Sequence, residues 1–404
     1  MSKLDELIQQ LCPDGVDSLT IENVCIKITS GGTPNTSRND YYEGDIPWLR
    51  TQEVDWNDIT DTGVKITNQG LENSSAKWIE KNCVIVAMYG ATAAKVAINK
   101  IPLTTNQACC NLCVDQNKAN YRYVYHWLCN KYEEIKALGQ GSQSNINAKI
   151  IRGIPIAVPP LPIQNEIVRI LDNFTELIEE LTEELTARKK QYEYYRDQLL
   201  TFAEDDKQVR WMYLGDIAKF TYGFTDKAKE QGSARFIRIT DIGDNGCLKP
   251  DNAKYVDISQ ENEKYCLMGG DLLVARTGAT YGKTLYVSTD EPAIYASFLI
   301  KIELDNTKII NRYYWHFTKS SYYWDQANKL VSAGGQPQFN SNVLCRVKLA
   351  VPPLAEQERI VSILDRFDSL CNDITAGLPA EIEARRKQYE YYRDKLLTFK
   401  ELGA

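Results

Sequence analysis

A fifteen-residue stretch occurs twice in this chain. Residues 188–202 read RKKQYEYYRDQLLTF and residues 385–399 read RRKQYEYYRDKLLTF, with thirteen positions identical at an offset of 197. The two copies belong to a longer repeat. IAVPPLPIQNEIVRILDNF (156–174) matches LAVPPLAEQERIVSILDRF (349–367), and VIVAMYGATAAKV (84–96) matches LLVARTGATYGKT (272–284). PWLRTQEV (47–54) matches RFIRITDI (235–242), GSQSNIN (141–147) matches GGQPQFN (334–340), and YRYVYHWL (121–128) matches NRYYWHFT (311–318). The order is the same in both halves, which marks a tandem duplication. Whatever one half folds into must be built twice, offering two like surfaces.

The 404 residues suit two or more domains. Four segments follow from the repeat: a globular region at 1–155, a helical region at 156–206, a second globular region at 207–348 and a second helical region at 349–404. The globular regions read as mixed α/β with many short strands. VIVAMYG and LLVARTG are apolar runs ended by Gly, as strands entering a turn should be. YRYVYHWLCNKYEEIKAL and NRYYWHFTKSSYYWDQA carry apolar and aromatic residues at helical spacing.

The other two regions are different in kind. After a rigid Val-Pro-Pro-Leu turn, Ile167, Leu171, Phe174, Ile178, Leu181, Leu185, Tyr192, Tyr195, Leu199 and Phe202 follow a heptad that only Arg188 breaks. A heptad kept up this long predicts a coiled coil, and a helix over about 163–203 would be ~60 Å long at ~1.5 Å per residue. The second copy keeps the pattern through Ile360, Leu364, Phe367, Cys371 and Ile374, then Ile382, Arg385, Tyr389, Tyr392, Leu396 and Phe399. It holds four extra residues between Phe367 and Arg385, with Gly377 and Pro379 among them. A helix break is expected there. The first helix also contains near-repeats, TELI-EELT-EELT, each close to one helical turn.

The formal charge of −7 is unevenly spread. Lys and Arg number 5 against 12 Asp and Glu in 156–206, but 15 against 17 in 1–155 and 19 against 15 in 207–349. The globular regions are therefore free to present a basic face. Eleven cysteines without framework spacing suit a reducing compartment. ACCNLC (Cys109, Cys110, Cys113) has no second pair to complete a zinc site and reads as a buried strand. No apolar run nears the ~18 residues of a membrane span, and MSKLDELIQQL has no signal-peptide organisation. A cytoplasmic protein is expected.

Catalytic motifs fail on inspection. Val158-Pro159-Pro160-Leu161 and Val351-Pro352-Pro353-Leu354 resemble the motif of amino-methyltransferases in outline only, because valine cannot accept a bond from a target amine. Gly278-Ala-Thr-Tyr-Gly282-Lys283-Thr284 is one residue too short for a phosphate loop, and its copy has Ala94, Lys95 and Val96. A Lys at the same place on both turns reads better as a contact to nucleic-acid phosphate. His126 and His316, the only histidines, are repeat equivalents and read as packed helix residues. No catalytic residue and no metal site is expected.

Two like globular regions, each followed by a long helix and lacking a catalytic motif, resemble the specificity subunit of type I restriction–modification enzymes. SGGTPNTSRNDYYEGDIPWLRTQEV (30–54) and LVARTGATYGKTLYV (273–287) look like parts of that family's target-recognition domains. AVPPL with Q.EIVRILD, and RKKQYEYYRDQLL, look like its conserved regions. The resemblance covers the whole chain and implies an α+β fold: two pseudo-twofold-related recognition domains joined by two long antiparallel coiled-coil helices. It implies that each domain reads half of a bipartite, asymmetric site in double-stranded DNA, with the helices setting the spacer. Two modification subunits carrying S-adenosylmethionine would dock on the conserved regions, joined by two restriction subunits using ATP and magnesium. This chain itself would hold no cofactor.

Side chains able to reach base edges sit on the turns common to both halves. They are Arg50, Tyr89, Thr92, Lys95, Ser142, Gln143 and Asn145 in the first, and Arg238, Arg276, Thr280, Tyr281, Lys283, Gln336 and Gln338 in the second. The bland reading of each is a turn-stabilising polar residue. Helix packing is expected of Leu171, Phe174, Ile178, Leu181, Leu185, Tyr192 and Tyr195 against Leu364, Phe367, Ile374, Tyr389 and Tyr392. Because GGTPNTSRNDYYEG becomes YGFTDKAKEQGSA, the two domains should read different sequences. Two other readings stay open on the residues alone: a scaffold that reads no DNA, and a diverged methyltransferase acting by itself.

Overall fold

The structure is a computed structural model that describes residues 3–139, 145–289, 291–331, 338–373 and 377–402. By compactness the chain divides into two units: Met1–Glu180 with Glu383–Ala404, and Leu181–Ile382. The division does not follow the four sequence segments. Each unit takes one globular region and a helical piece from each copy of the repeat, and the reason lies in what the helices bury.

In the first unit a five-stranded sheet runs in the order Cys25–Ser30, Cys109–Val114, Val84–Ala87, Val96–Asn99, Asp58–Ile59. A four-stranded sheet adds Lys65–Ile66, Tyr42–Leu49, Leu103–Thr105 and Trp78–Ile79. The central run Val84-Ile85-Val86-Ala87 is apolar at every position because the sheet is covered on both faces. Val84 and Val86 enter the core shared with the helix Tyr121–Asn130, while Ile85 and Ala87 enter a second core with Leu49 and Leu103. The second unit repeats this division. In Leu272–Ala275, Leu272 and Val274 face one core, and Leu273 and Ala275 the other. The expected Cys109–Val114 strand is present, and among the described residues no cluster could hold a metal. Gly31 and Gly223 permit close backbone packing in each unit: a Cβ would lie 1.9 Å from the Thr105 carbonyl oxygen or 2.3 Å from that of Ala296.

The aromatic segments form helices that each break once, into Tyr121–Asn130 and Tyr132–Ala137, and into Asn311–Phe317 and Ser321–Leu330. In the second, the Ser320 hydroxyl accepts from the Tyr323 backbone N–H and starts a new helix. A two-stranded antiparallel ladder closes each globular region, Ser18–Thr20 with Pro155–Ala157 and Arg210–Tyr213 with Lys348–Val351. The Val-Pro-Pro turns then lead into helices.

The first long helix spans Leu161–Leu199 without interruption. The second starts at Leu354 and ends at Asn372, and a last helix spans Leu378–Leu396, so the interruption precedes Leu378, with Gly377 just before the new helix and Pro379 in its first turn. Ile374 lies outside the described residues. In the first unit Phe174 stacks on Tyr392 with ring centroids 5.3 Å apart. In the second, Phe367 stacks on Tyr195 at 5.6 Å and lies 6.4 Å from Tyr192. Ile178 and Leu181 are half-buried, and Leu185 packs at the edge of a core.

The remaining residues assigned to helix packing do something else as well. Leu171 and Tyr389 belong to the core of the first globular region, and Tyr192 and Leu364 to that of the second. An a/d seam is narrower than the stripe a helix must bury against a globular domain, so the duplicated stretch is divided between the two tasks. Tyr194 and Tyr391, off that stripe, are each 62% exposed.

Candidate nucleic-acid interface

In each unit the central strand runs into a short turn, Gly90–Thr92 after Val84–Ala87 and Gly278–Thr280 after Leu272–Ala275. Gly90 and Gly278 adopt φ of +79° and +73°, where a side chain would be strained. Four residues after Gly278, Gly282 has φ +77°; its counterpart is Ala94 at φ +69°, fully buried. The alanine holds a backbone shape that costs an L-residue roughly 1 kcal/mol. Replacing Ala94 with glycine should therefore leave the first unit's stability within about 1 kcal/mol of wild type, by urea unfolding. A loss of several kcal/mol would mean that the methyl group, not the strained turn, decides this position.

The turns gather the expected side chains, and most of them already have partners. Arg50 and Arg238 each cap a helical turn and pair with the acid three residues on. The Arg50 Nε donates to Glu53 at 3.3 Å, and Arg238 donates to Asp241 through Nε at 3.1 Å and Nη2 at 2.7 Å. RTQE and RITD show that spacing in the sequence. The Lys95 ammonium sits 2.6 Å from the Asp55 carboxylate and 4.4 Å from the centre of the Trp56 ring. Lys283 pairs with Asp244 in the same way, which draws the Asp244 carboxyl below its usual range. Lys283 also faces a cleft of about 420 Å³ with Lys189, Arg196 and Lys319.

The Thr92 hydroxyl donates to the Thr51 carbonyl at 2.9 Å, tying the two turns of the first unit together. Asn145 lies beside Gly90, and Tyr89 is 42% exposed. In the second unit the Arg276 guanidinium lies between the rings of Tyr222 and Phe298, at 5.3 and 5.4 Å. The Tyr281 hydroxyl donates to Asn328 at 2.7 Å, and the Thr280 hydroxyl is buried. Gln338 bridges to Thr277 at the strand end. Ser142, Gln143 and Gln336 lie outside the described residues.

What fastens the long helices to the globular regions was not foreseen. Gln164 and Gln357, three residues into their helices, are fully buried. The Gln164 amide donates to the carbonyls of Pro159 (2.7 Å) and Lys118 (3.1 Å), and its oxygen accepts from the Asn120 N–H (2.9 Å). Gln357 does the same with Pro352 (2.8 Å), Lys308 (2.8 Å) and the Ile310 N–H (2.9 Å). Each glutamine fastens the start of a long helix to the start of an aromatic one. The identical Gln in QNEIV and QERIV was the available signal.

A second clamp surrounds each histidine. His126 Nε2 lies 2.7 Å from Asp172 and Nδ1 lies 3.1 Å from the Tyr389 hydroxyl. His316 Nε2 lies 2.7 Å from Asp365 and Nδ1 lies 3.3 Å from the Tyr192 hydroxyl. Arg122 and Arg312 pair with the same two aspartates. The neutral ring donates from Nε2 and accepts the tyrosine proton at Nδ1. Burial lowers the His126 value and brings that of His316 down to about 4, against the opposing pull of the aspartates. Burial raises Tyr192 and Tyr389, so neither hydroxyl is activated as a nucleophile. The hydroxyl–imidazole–carboxylate line is structural: both histidines have no exposed surface.

Comparison with known proteins identifies the family. The family model described as "Type I restriction modification DNA specificity domain" matches residues 13–187 and again 207–384. A putative type I restriction enzyme specificity subunit of Haemophilus influenzae is 37% identical over 296 residues, covering 70% of this chain and 74% of that one. The specificity subunit of the Escherichia coli enzyme EcoR124I/EcoR124II is 38% identical over 300 residues, covering 70% and 72%. In fold, the chain is similar to a type I restriction–modification S subunit from M. genitalium, with TM-score 0.58 and 16% identity over 94% of this chain and 96% of that one.

Proposed function

The chain belongs to the type I restriction–modification DNA specificity family, and from that premise we propose how it divides the work of recognition. It is the specificity subunit and not an enzyme: it contributes target reading, and chemistry is left to its partners. Each globular region reads one half of a bipartite, asymmetric site in double-stranded DNA. The turns bearing Arg50, Tyr89, Thr92, Lys95 and Asn145, and Arg238, Arg276, Thr280, Tyr281, Lys283 and Gln338, face the DNA; contact with DNA is assigned as well to Ser142, Gln143 and Gln336, which lie outside the described residues. The helices pack as an antiparallel coiled coil about a pseudo-twofold axis and set the spacer between the half-sites. Two modification subunits binding S-adenosylmethionine dock on the duplicated helical regions, and two restriction subunits using ATP and magnesium complete the assembly.

What supports this reading is that two like-built units carry the same Gly-turn with a lysine, and a single helix, Leu161–Leu199, passes from one unit into the other. On this reading the helix is a ruler. Inserting EELT after Thr186 adds about one turn, ~6 Å, and should lengthen the recognised spacer by about two base pairs. Sequencing of methylated DNA from cells carrying the altered system reads the spacer directly. A spacer of unchanged length sinks the ruler.

A further inference from the structure

Both recognition turns carry a lysine held by an exposed aspartate, and this recurs where the surrounding sequence does not. Asp55 follows Arg50 by five residues in RTQEVDW, whereas Asp244 follows Arg238 by six in RITDIGD. The loops differ, yet an acid reaches the equivalent lysine in each unit. The aspartates are the exposed partners, at 60% and 96%, against 19% and 28% for Lys95 and Lys283. An ion pair this open adds little to folding, so stability does not account for its recurrence.

We propose that Asp55 and Asp244 are sequence-reading residues, each meeting an exocyclic amino group of cytosine or adenine in the major groove once its lysine turns to a backbone phosphate. The proposal rests on the reading of Lys95 and Lys283 as phosphate contacts. When lysine exchanges a carboxylate for a phosphate, the carboxylate loses its direct ion-pair partner and is left beside a polyanion. A carboxylate can only accept hydrogen bonds. In the major groove, donors come from cytosine N4 and adenine N6, whereas guanine O6 and N7 and thymine O4 are acceptors. At the right base pair the amino group replaces the ammonium. Each base pair carries one such amino group, so the acid reads the strand on which it lies: where guanine or thymine stands at that position the acid faces acceptors, and the complex either loses the phosphate contact or leaves the carboxylate without a donor. The exchange makes each lysine's contribution conditional on sequence.

The test uses the full chain assembled with its modification subunits, a duplex containing the methylated target, and a random-sequence duplex. Asp55→Ala and Asp244→Ala should each tighten binding to random duplex about two- to fivefold and weaken binding to target. The target-to-random ratio should fall at least about tenfold per position, the scale of one base-edge contact. Selection from a randomised duplex pool should show relaxed preference at one base pair, in a different half-site for each variant. An unchanged ratio and unchanged preferences overturn the proposal. Lys95→Gln and Lys283→Gln separate the two levels: if they weaken both duplexes alike while the alanine variants leave the ratio intact, the phosphate reading stands and the inference falls. If neither set changes binding, both fall.

Discussion

Replacing Gln357 with methionine, which keeps the volume and removes the amide, is expected to destabilise the Leu181–Ile382 unit by about 2–5 kcal/mol. Three backbone groups lose their partner at once: the carbonyls of Pro352 and Lys308 and the N–H of Ile310. The bond to Pro352 is fully buried and the other two are partly so, which places the cost below three full desolvation penalties. Gln164→Met should do the same to the first unit through Pro159, Lys118 and Asn120. The exposed neighbour Glu358 provides the contrast, and its replacement should cost within about 0.5 kcal/mol. Urea unfolding of the three variants measures all of this. A cost below about 1 kcal/mol for both glutamines would show that water or rearranged backbone takes over the three bonds.

Acid should unfold the second unit well before ordinary carboxylates are fully protonated. Folded, the His316 imidazole titrates near 4 because burial disfavours its charge; unfolded, it titrates near ~6.5. Between those values the unfolded chain binds a proton that the folded chain refuses, so stability falls as pH drops from ~6.5 to ~4 and levels below that. The full difference is about 3 kcal/mol. Asp365 adds to the loss lower down. Burial alone would raise its carboxyl, but the bonds from His316 and Arg312 prevail and hold it below the usual range, so its contribution disappears as it protonates. The Trp315 ring lies 4.9 Å from the His316 ring, which makes tryptophan fluorescence a suitable probe of unfolding. His316→Gln removes the titration and should flatten the dependence between pH 6.5 and 4. A slope equal to wild type would place the acid sensitivity elsewhere.

Much of the fold was legible because it depends on short-range pattern. The heptad produced a helix ending at Leu199, its counterpart is interrupted before Leu378 in the region that holds Gly377 and Pro379, and apolar runs ended by Gly became the central strands. The candidate turns were found because both copies carry them. Less legible was the state of each residue on those turns. Arg50 with Glu53 could be seen three residues apart, but the pairs of Lys95 with Asp55 and Lys283 with Asp244 span 40 and 39 residues, and no periodicity encodes them. Thr280 and Tyr281 look alike in sequence as polar turn residues, yet one hydroxyl is buried and the other is spent on Asn328.

The sequence alone determined that one unit is built twice, with strands, helices and helix break at definite places, since those follow from spacing and from the backbone chemistry of Gly and Pro. Only the tertiary structure decided what the duplicated stretch RKKQYEYYRDQLLTF is for. Its first tyrosine meets a buried histidine, Tyr192 with His316 and Tyr389 with His126, across 124 and 263 residues. Its third, Tyr195 or Tyr392, stacks on Phe367 or Phe174. A heptad records which face of a helix is apolar. Which partner covers that face is settled by long-range packing and by the need to satisfy each buried polar group, and neither is written locally in the chain.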